Sequence, residues 1–275
     1  MPDASLIISF YNRIDFLKLI LAGLERQSFE NYEILIADDG SNREVIEELK
    51  SIARTYPRTI RHIWQEDIGF RKTKILNKAV MESSSDYLIF IDGDCIPHKE
   101  FVLEHFRNKI PNVCFTGRRV NLSEKITSNL SIEKIRSGYL EKNFLALAID
   151  GFFGKSTDVE KGVYFKSKFM RSVFNKKKRG ILGCNFSLFK EDFFRVNGFD
   201  ERYIAPSIGE DTDIQYRLEL AGTKIKSLNN IAIQYHLFHQ YQERQAVNLE
   251  LLAKVKSAGI FFTPYGINKD DIYSQ

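Results

Sequence analysis

The stretch "YLIFIDGDCIPHKEF" at residues 87–101 places five apolar residues directly before two carboxylates, Asp92 and Asp94. A short unbroken apolar run of this kind is typical of a strand that is covered on both faces. An Asp-Gly pair by itself marks only a turn. Two acidic side chains at the end of a buried strand also suit a ligand site, so both interpretations have to be weighed against the rest of the chain.

Three similar strand-and-helix pairs precede this stretch. Each pair is a short apolar run followed by about a dozen residues with apolar side chains at helical spacing. Such alternation predicts an α/β fold with a mostly parallel sheet and helices on both faces. The predicted pairs are residues 5–10 with 12–27, for which Asn12 is the expected N-cap, 32–41 with 42–56, and 59–64 with 71–83.

Acidic residues follow two of these strands, at Asp38 and Asp39 and again at Asp92 and Asp94. Ligands of open α/β sheets bind beyond the carboxyl ends of the strands, so these side chains should converge. Carboxylates there can hold a divalent cation whose remaining charge a diphosphate neutralises. The sequence lacks both G-x-x-x-x-G-K-[ST] and, after its first strand, G-x-G-x-x-G, which favours a nucleotide-sugar over a P-loop or dinucleotide ligand.

The net charge of the 275 residues is +4, but residues 161–190 contain nine Lys or Arg and no acid. This segment is either a solvated basic loop or a contact for a phosphate-rich ligand or an anionic membrane. We expect no nucleic-acid partner, because no recognised binding motif accompanies it. The three cysteines share no C-x-x-C spacing and are expected to be packing residues. Since no apolar stretch is long enough to span a bilayer, we expect a cytoplasmic protein.

Four motifs carry a resemblance to a known family. They are "SFYNR" (9–13), "ILIADDGS" (34–41), "DYLIFIDGDCIP" (86–97) and "GEDTDIQYRLELAG" (209–222), and together they resemble the GT-A fold glycosyltransferases of family 2. The stretches "GFRKTKILN", "DGDCIP" and "GEDTDIQYRL" are further similar to the β1,4-galactosyltransferases and the bacterial chondroitin polymerase. The resemblance implies a Rossmann-like, mixed but mostly parallel sheet.

The resemblance also implies roles for individual residues. Asp94 matches the metal-binding aspartate, and His236 is the expected further ligand, with His239 as the alternative. Lys72 stands where the galactosyltransferases have a phosphate-binding arginine, which keeps the charge but loses the bidentate geometry. The other positions that match contacts to the UDP-sugar donor are Phe10, Tyr11, Arg13, Asp38, Asp39, Phe70 and Asp92.

Asp211 matches the catalytic base of this family, and Glu210 matches the neighbouring acid that contacts sugar hydroxyls. Both carboxylates also suit a helix start, where they would act only as caps. The resemblance implies an inverting hexosyltransferase that uses Mn²⁺ or Mg²⁺. The tryptophan that precedes G-E-D in the galactosyltransferases is replaced here by "APSI" (205–208), which leaves the acceptor open.

The predicted organisation is a glycosyltransferase domain at 1–240 followed by a helical extension at 241–275. A nucleotide-binding half (1–120) precedes an acceptor and catalytic half (121–240), which contains a basic insertion at 161–180. The expected activity is transfer of a hexose from a UDP-sugar to a saccharide or lipid-linked acceptor in bacterial surface polysaccharide synthesis. A noncatalytic nucleotide-sugar binding protein and a sugar nucleotidyltransferase are the alternatives.

Overall fold

The computed structural model describes residues 1–206, 209–240 and 246–269. Within these ranges the strands form one large sheet and one small sheet. The strands are β1 (Ala4–Phe10), β2 (Tyr32–Asp38), β3 (Ile60–Trp64), β4 (Tyr87–Asp92), β5 (Cys95–Pro97), β6 (Val113–Thr116), β7 (Arg118–Asn121), β8 (Asn185–Phe189), β9 (Lys224–Ser227) and β10 (Ile233–His236).

The helices of the first half are long and alternate with strands, whereas those between residues 124 and 174 are short. They are α1 (Ile14–Leu24), α2 (Arg43–Thr55), α3 (Lys72–Glu82), α4 (Phe101–Arg107), α5 (Glu124–Ser128), α6 (Ile132–Arg136), α7 (Tyr139–Lys142), α8 (Phe144–Phe152), α9 (Lys168–Phe174), α10 (Lys190–Arg195), α11 (Glu210–Leu220) and α12 (Ala246–Ala258), with a short 3-10 helix at Val159–Gly162.

The large sheet has the order β3-β2-β1-β4-β8-β6-β9. The first four strands in this order pair in parallel, as does β6 with β9, while β8 is antiparallel to both of its neighbours. The predicted α/β fold with a mixed, mostly parallel sheet is therefore confirmed. The edge strand β9 is short and exposes Lys224 and Lys226, while Ile225 between them is buried.

Helices cover both faces of the large sheet, because successive side chains of a strand point to opposite faces. Leu6 and Ile8 of β1 belong to one buried cluster together with Leu17 of α1. Ile7, between them, belongs to a second cluster that contains Ile75 of α3. The unbroken apolar runs of the first half are thus explained by burial on both faces.

The small sheet has the order β5-β10-β7 and lies where β4 ends. Strand β10 runs antiparallel to β5, with His236 opposite Cys95. The backbone N–H of Leu237 also donates to the carbonyl of Asp94 at 2.8 Å. This pairing carries a histidine from late in the chain to the aspartates that follow β4.

The first predicted helix begins later than expected. It starts at Ile14, and Asn12 is not its N-cap but has a left-handed backbone with φ of 56°. The Asn12 side chain instead accepts a hydrogen bond from the backbone N–H of Asn42 at 2.9 Å, and its own N–H donates to Ser41 Oγ. Asn12 therefore joins two loops, and the helix begins without a side-chain cap.

The two halves of the chain share one sheet, since β6, β8 and β9 extend the sheet that β1–β4 begin. The described part of the C-terminal segment contains α12 and then an irregular stretch whose Thr263 Oγ1 donates to Asp200. The boundary at residue 240 stays a prediction. In the ranges described, every helix is too short or too polar to cross a membrane.

Helix α11 is anchored by a buried ion pair between Arg217 and Asp213, both about 1% exposed. The Arg217 guanidinium also donates to the carbonyls of Val196 and Gly198, at 2.8 and 2.9 Å. A buried charge of this kind is tolerated only when its partners are all in place. The pair fixes the helix whose first residues are Glu210 and Asp211.

We predict that Arg217→Met lowers the free energy of unfolding by about 3–5 kcal/mol, because it leaves the Asp213 carboxylate buried without its partner. Urea denaturation measures this change. Lys50→Met, which removes an exposed partner of Glu47, is the matched control and should change stability by under ~1 kcal/mol. Equal stability of the two variants would contradict the anchoring role of Arg217.

Candidate active site

A cavity of about 830 Å³ opens beyond the carboxyl ends of β1, β2 and β4. Its volume and its mixture of aromatic and charged walls fit a site for a nucleotide-sized ligand. The predicted site residues that line it are Phe10, Tyr11, Arg13, Asp39, Phe70, Lys72, Asp92 and Asp94, together with the alternative metal ligand His239.

Asp39 lies in the wall of this cavity and is held from two sides. Gln65 Nε2 donates to one carboxylate oxygen at 2.6 Å, and the backbone N–H of Arg71 donates to the other at 2.7 Å. Burial raises the pKa of Asp39, and these two donors oppose that rise. The orientation of the carboxylate is thus set before any ligand enters.

Asp38 lies behind the cavity and does not line it. It is fully buried, and its carboxylate is occupied by His62 Nε2 at 2.8 Å and by the backbone N–H of Ser41 at 2.8 Å. Consecutive residues at a strand end point to opposite faces. Of the two predicted donor contacts, only Asp39 is therefore exposed to the cavity.

Asp94, His236 and His239 bring one ligand atom each to within 4.8 Å of one another. Oδ2 of Asp94 lies 3.4 Å from Nε2 of His236 and 3.1 Å from Nε2 of His239. The two Nε2 atoms are themselves 3.2 Å apart. The family resemblance predicts His236 as a metal ligand, with His239 as the alternative. In the structure both histidines lie beside the same carboxylate oxygen of Asp94.

Asp94 and the two histidines of this cluster interact electrostatically as well as by hydrogen bonds. Burial would raise the pKa of Asp94, but hydrogen bonds from His236 and His239 hold the pKa well below its ordinary value. The hydrogen bond with Asp94 in turn raises the pKa of His239. One carboxylate and two imidazoles form a donor set that suits a divalent transition metal such as Mn²⁺.

Lys72, the first residue of α3, stands among several carboxylates. Its Nζ lies 2.7 Å from Asp92 Oδ1, and Ser9 Oγ donates to the same oxygen at 2.7 Å. Burial would lower the pKa of Lys72, but Asp92 and then Glu210 and Asp211 raise it above its ordinary value. The ammonium therefore stays charged and links the two acidic groups of the site.

Glu210 and Asp211 begin α11, as predicted. Burial and the neighbouring Glu210 raise the pKa of Asp211 to about 7, while Lys72 opposes the rise. The backbone N–H of Gly183 donates to Asp211 Oδ2 at 2.8 Å. Oε2 of Glu210 is buried without a hydrogen-bond partner among the described residues, which exclude 207 and 208. A carboxylate with a pKa near neutrality can accept a proton from a reacting group.

Two glycines allow the backbone to approach this site closely. A Cβ at Gly183 would lie 2.2 Å from Asp211 Oδ1, and a Cβ at Gly93 would lie 2.7 Å from the carbonyl oxygen of Ser9. Both distances are shorter than any real Cβ contact, so a side chain at either position would displace a site residue.

Two residues of the site, Asp67 and Arg119, belong to none of the motifs. Tyr11 Oη donates to Asp67 Oδ2 at 2.8 Å, and Asp67 also lines the cavity. Arg119, on β7, places a guanidinium nitrogen 3.5 Å from Cys184 Sγ, close to the Cys95 thiol beside Asp94. Only the proximity of Asp67 to "GFRK" in the sequence could have indicated its position, and Arg119 belongs to no motif.

Several of the positively charged side chains in the basic segment 161–190 have partners within the protein. Arg171 binds the buried carboxylate of Glu104 at 2.7 Å, and Lys178 lies 3.0 Å from Glu219. Lys161 pairs with Asp158, and Lys190 Nζ donates to the carbonyl of Ser83. The exposed lysines of the segment are Lys166, Lys168, Lys176, Lys177 and Lys178.

Comparison with known proteins gives two family matches. Residues 5–157 match the model of glycosyl transferase family 2, and residues 165–240 match a model described as the N-terminal domain of galactosyltransferase. The first match covers the motifs at 9–13, 34–41 and 86–97, and the second covers Asp211 and His236.

Two distant curated relatives match over most of the chain. Validoxylamine A glucosyltransferase of Streptomyces hygroscopicus subsp. jinggangensis is 24% identical over 229 residues, which are 81% of this chain and 52% of the relative. Hyaluronan synthase of Pasteurella multocida is 24% identical over 84% of this chain and 24% of its own. The chain thus spans about half or less of the length of these relatives.

Solved structures share the fold. GalNAc-T7 with UDP, GalNAc and Mn²⁺ superposes with a TM-score of 0.66 at 14% identity, over 94% of this chain and 48% of that one. Residues 1–349 of S. aureus TarS in complex with UDP superpose with a TM-score of 0.57 at 13% identity, over 94% and 65% of the two chains. These neighbours are GT-A glycosyltransferases. Because the family 2 model matches more than half of its residues, the chain belongs to glycosyl transferase family 2.

Proposed function

We propose that the protein is a metal-dependent inverting glycosyltransferase that moves a hexosyl group from a UDP-sugar to a saccharide or lipid-linked acceptor. The observation that carries this proposal is that Lys72 interacts both with Asp92, at 2.7 Å, and with Asp211, whose pKa is about 7. Asp92 lies two residues before Asp94, which forms the candidate metal cluster with His236 and His239. The cluster would stabilise the departing diphosphate, and Asp211 would accept the proton of the acceptor hydroxyl.

In the proposed reaction the oxygen of an acceptor hydroxyl forms a bond to the anomeric carbon of the donor sugar. The bond from that carbon to the diphosphate breaks, and UDP leaves with the electron pair. The hydroxyl proton passes to Asp211, whose hydrogen bond from Gly183 orients the carboxylate. A single displacement of this kind inverts the anomeric configuration.

Asp94, His236 and His239 would hold the cation, for which Mn²⁺ fits the donor set better than Mg²⁺. When bound, the cation would offset the negative charge that develops on the departing diphosphate. Lys72 adds a fixed positive charge at the same side of the cavity. The Oε2 of Glu210, which has no hydrogen-bond partner in the described part of the chain, is suited to accept a hydrogen bond from a sugar hydroxyl.

Aromatic residues would hold the nucleotide. Phe10, Tyr11 and Phe70 line the cavity together with Arg13 and Asp39, and aromatic faces suit stacking of a base. The structure of GalNAc-T7 contains UDP and Mn²⁺, which agrees with this choice of donor and metal. The hexose itself, of Gal, GalNAc or Glc type, is left open by these residues.

The biological setting proposed is bacterial surface polysaccharide synthesis on the cytoplasmic side of the membrane. One relative, from Campylobacter jejuni, is a β-1,3-glucosyltransferase named for an undecaprenol-linked acceptor and is 21% identical over 70% of this chain. A lipid-linked acceptor would also give a purpose to the exposed lysines of 161–190, through attraction to anionic lipids. Residues 1–240 would form the catalytic unit and 241–275 the extension.

The two alternatives explain less. A noncatalytic nucleotide-sugar binding protein has no use for a carboxylate whose pKa is raised to about 7 by burial. A sugar nucleotidyltransferase would be expected to have a glycine-rich basic loop after the first strand, where the chain reads "SFYNRID".

We predict that Asp94→Ala abolishes Mn²⁺-dependent binding of UDP in calorimetry, with the fold intact. His236→Ala and His239→Ala should each weaken Mn²⁺ affinity by at least about tenfold, because both rings face the same carboxylate oxygen. Glu66→Ala, which removes an exposed carboxylate outside the cluster, is the control. Unchanged Mn²⁺ affinity in Asp94→Ala would exclude the metal site.

We predict that Asp211→Asn slows sugar transfer by roughly 10²- to 10⁴-fold, with donor affinity nearly unchanged, since the base acts only as the transition state forms. In the wild type, kcat/KM should fall about tenfold per pH unit below pH ~7, where Asp211 becomes protonated. Thr212→Ala, at the next and exposed position, is the control. Near-normal transfer by Asp211→Asn would show that Asp211 is not the catalytic base and only stabilises the start of α11.

The raised pKa of Asp211 also predicts an effect on stability. The folded-state pKa of about 7 lies above the ordinary value of 3.8, so the wild type loses stability as pH rises between these values. Asp211→Asn has no such charge to bury and should unfold at a higher urea concentration than the wild type at pH 8, with a smaller difference at pH 5. A difference that is the same at both pH values would contradict the raised pKa.

A further inference from the structure

Helix α8 exposes apolar side chains that ordinarily face a protein interior. Leu145, Ile149 and Phe152 follow one another at helical spacing and are 73%, 53% and 85% exposed, and the adjoining Phe153 is 70% exposed. The buried residue of this helix is Leu147, which joins the core on the other side. An apolar stripe of this spacing on a surface helix usually marks a face that another body covers.

A positively charged cavity of about 560 Å³ borders this stripe. Lys125, Lys134 and Lys155 line it, and Ile149 and Phe153 form part of the same wall. The cavity also contains one carboxylate, that of Asp150, which accepts a hydrogen bond from Ser156 Oγ at 2.6 Å. Positive charge and exposed apolar surface therefore occur side by side.

The cavity is connected through α5 to the segment that carries the candidate metal ligands His236 and His239. Helix α5 supplies Lys125 to the cavity, and the Oγ1 of its Thr127 accepts a hydrogen bond from the backbone N–H of Phe238 at 2.9 Å. The backbone N–H of Leu122 donates to the carbonyl of His236 at 2.9 Å. A body that covers the cavity would thus contact the helix that is bonded to this segment.

We propose that this surface docks the protein on an anionic lipid membrane. We call it the α8 face and define it by Leu145, Ile149, Phe152, Phe153, Lys125, Lys134 and Lys155. The aromatic and aliphatic side chains enter the boundary between headgroups and acyl chains, and the lysines meet anionic headgroups.

Charge favours a membrane over a second copy of the chain. A two-fold symmetric contact brings the same patch of both subunits together. Such a contact would bring six lysines and only two carboxylates, those of Asp150, into one interface, where the excess of like charges repels. An anionic bilayer satisfies the apolar and the cationic components of the face at once.

The α8 face shares no residue with the basic segment 161–190, and it would bind a membrane through apolar contacts as well as through charge. Attraction through lysines alone is screened by salt, whereas burial of apolar surface is not. The inference rests on the proposed function in one respect only, that a lipid-linked acceptor gives the docked orientation a use. Membrane binding can be measured independently of transfer.

The test is flotation of the full chain with vesicles of phosphatidylcholine, with and without phosphatidylglycerol, at low and high salt. The wild type should bind anionic vesicles and keep part of that binding at high salt. Phe152→Ser combined with Phe153→Ser should lower the partition coefficient at high salt by at least about tenfold. Ile110→Ser, which removes another exposed apolar side chain, is the matched control and should bind as the wild type does.

Three results would overturn the inference. They are a wild type that does not bind anionic vesicles, equal binding of the double variant, and a concentration-dependent dimer in sedimentation that the double variant loses. UDP affinity, measured by calorimetry on the same samples, should be equal in all variants. Failure of the wild type to bind UDP would contradict the proposed function but would not affect the conclusion from vesicle binding.

Discussion

The ammonium of Lys72 holds together carboxylates that would otherwise repel one another. Asp92 comes from the end of β4, and Glu210 and Asp211 come from the start of α11, more than a hundred residues later. Lys72 interacts with all three, and their combined field keeps it charged in spite of burial. The position of α3 against the sheet therefore decides whether the acidic groups of both halves can lie near one another.

The small sheet imposes a second constraint. Its central strand pairs with β5 on one side and with β7 on the other, so His236 reaches Asp94 only when these three strands are paired. Three ligands drawn from two distant parts of the chain cannot be preformed in the unfolded state. The candidate cation site is thus a property of the finished domain, and a cation bound there would stabilise that domain as a whole.

The parts of the fold that the sequence predicted are those determined by local pattern. The first four strands and the three helices between them follow apolar periodicity, and their positions agree with the structure within a few residues. Contacts between distant segments were not predictable in this way. Asn12 looks like a helix cap but bonds to Asn42, and Asp38 looks like a cavity residue but turns toward His62. The meeting of both histidines at Asp94 and the exposed stripe of α8 likewise depend on loops and packing that no motif encodes.

The order of the large sheet leaves β9 at one edge, with backbone groups directed outward. An edge of this kind can recruit an extended segment of another molecule and so begin aggregation. In β9 the risk is limited by a length of four residues and by the charges of Lys224 and Lys226 on either side of Ile225. These two lysines therefore protect solubility, and a chain in which both were neutral would keep its fold but present a template for cross-β assembly.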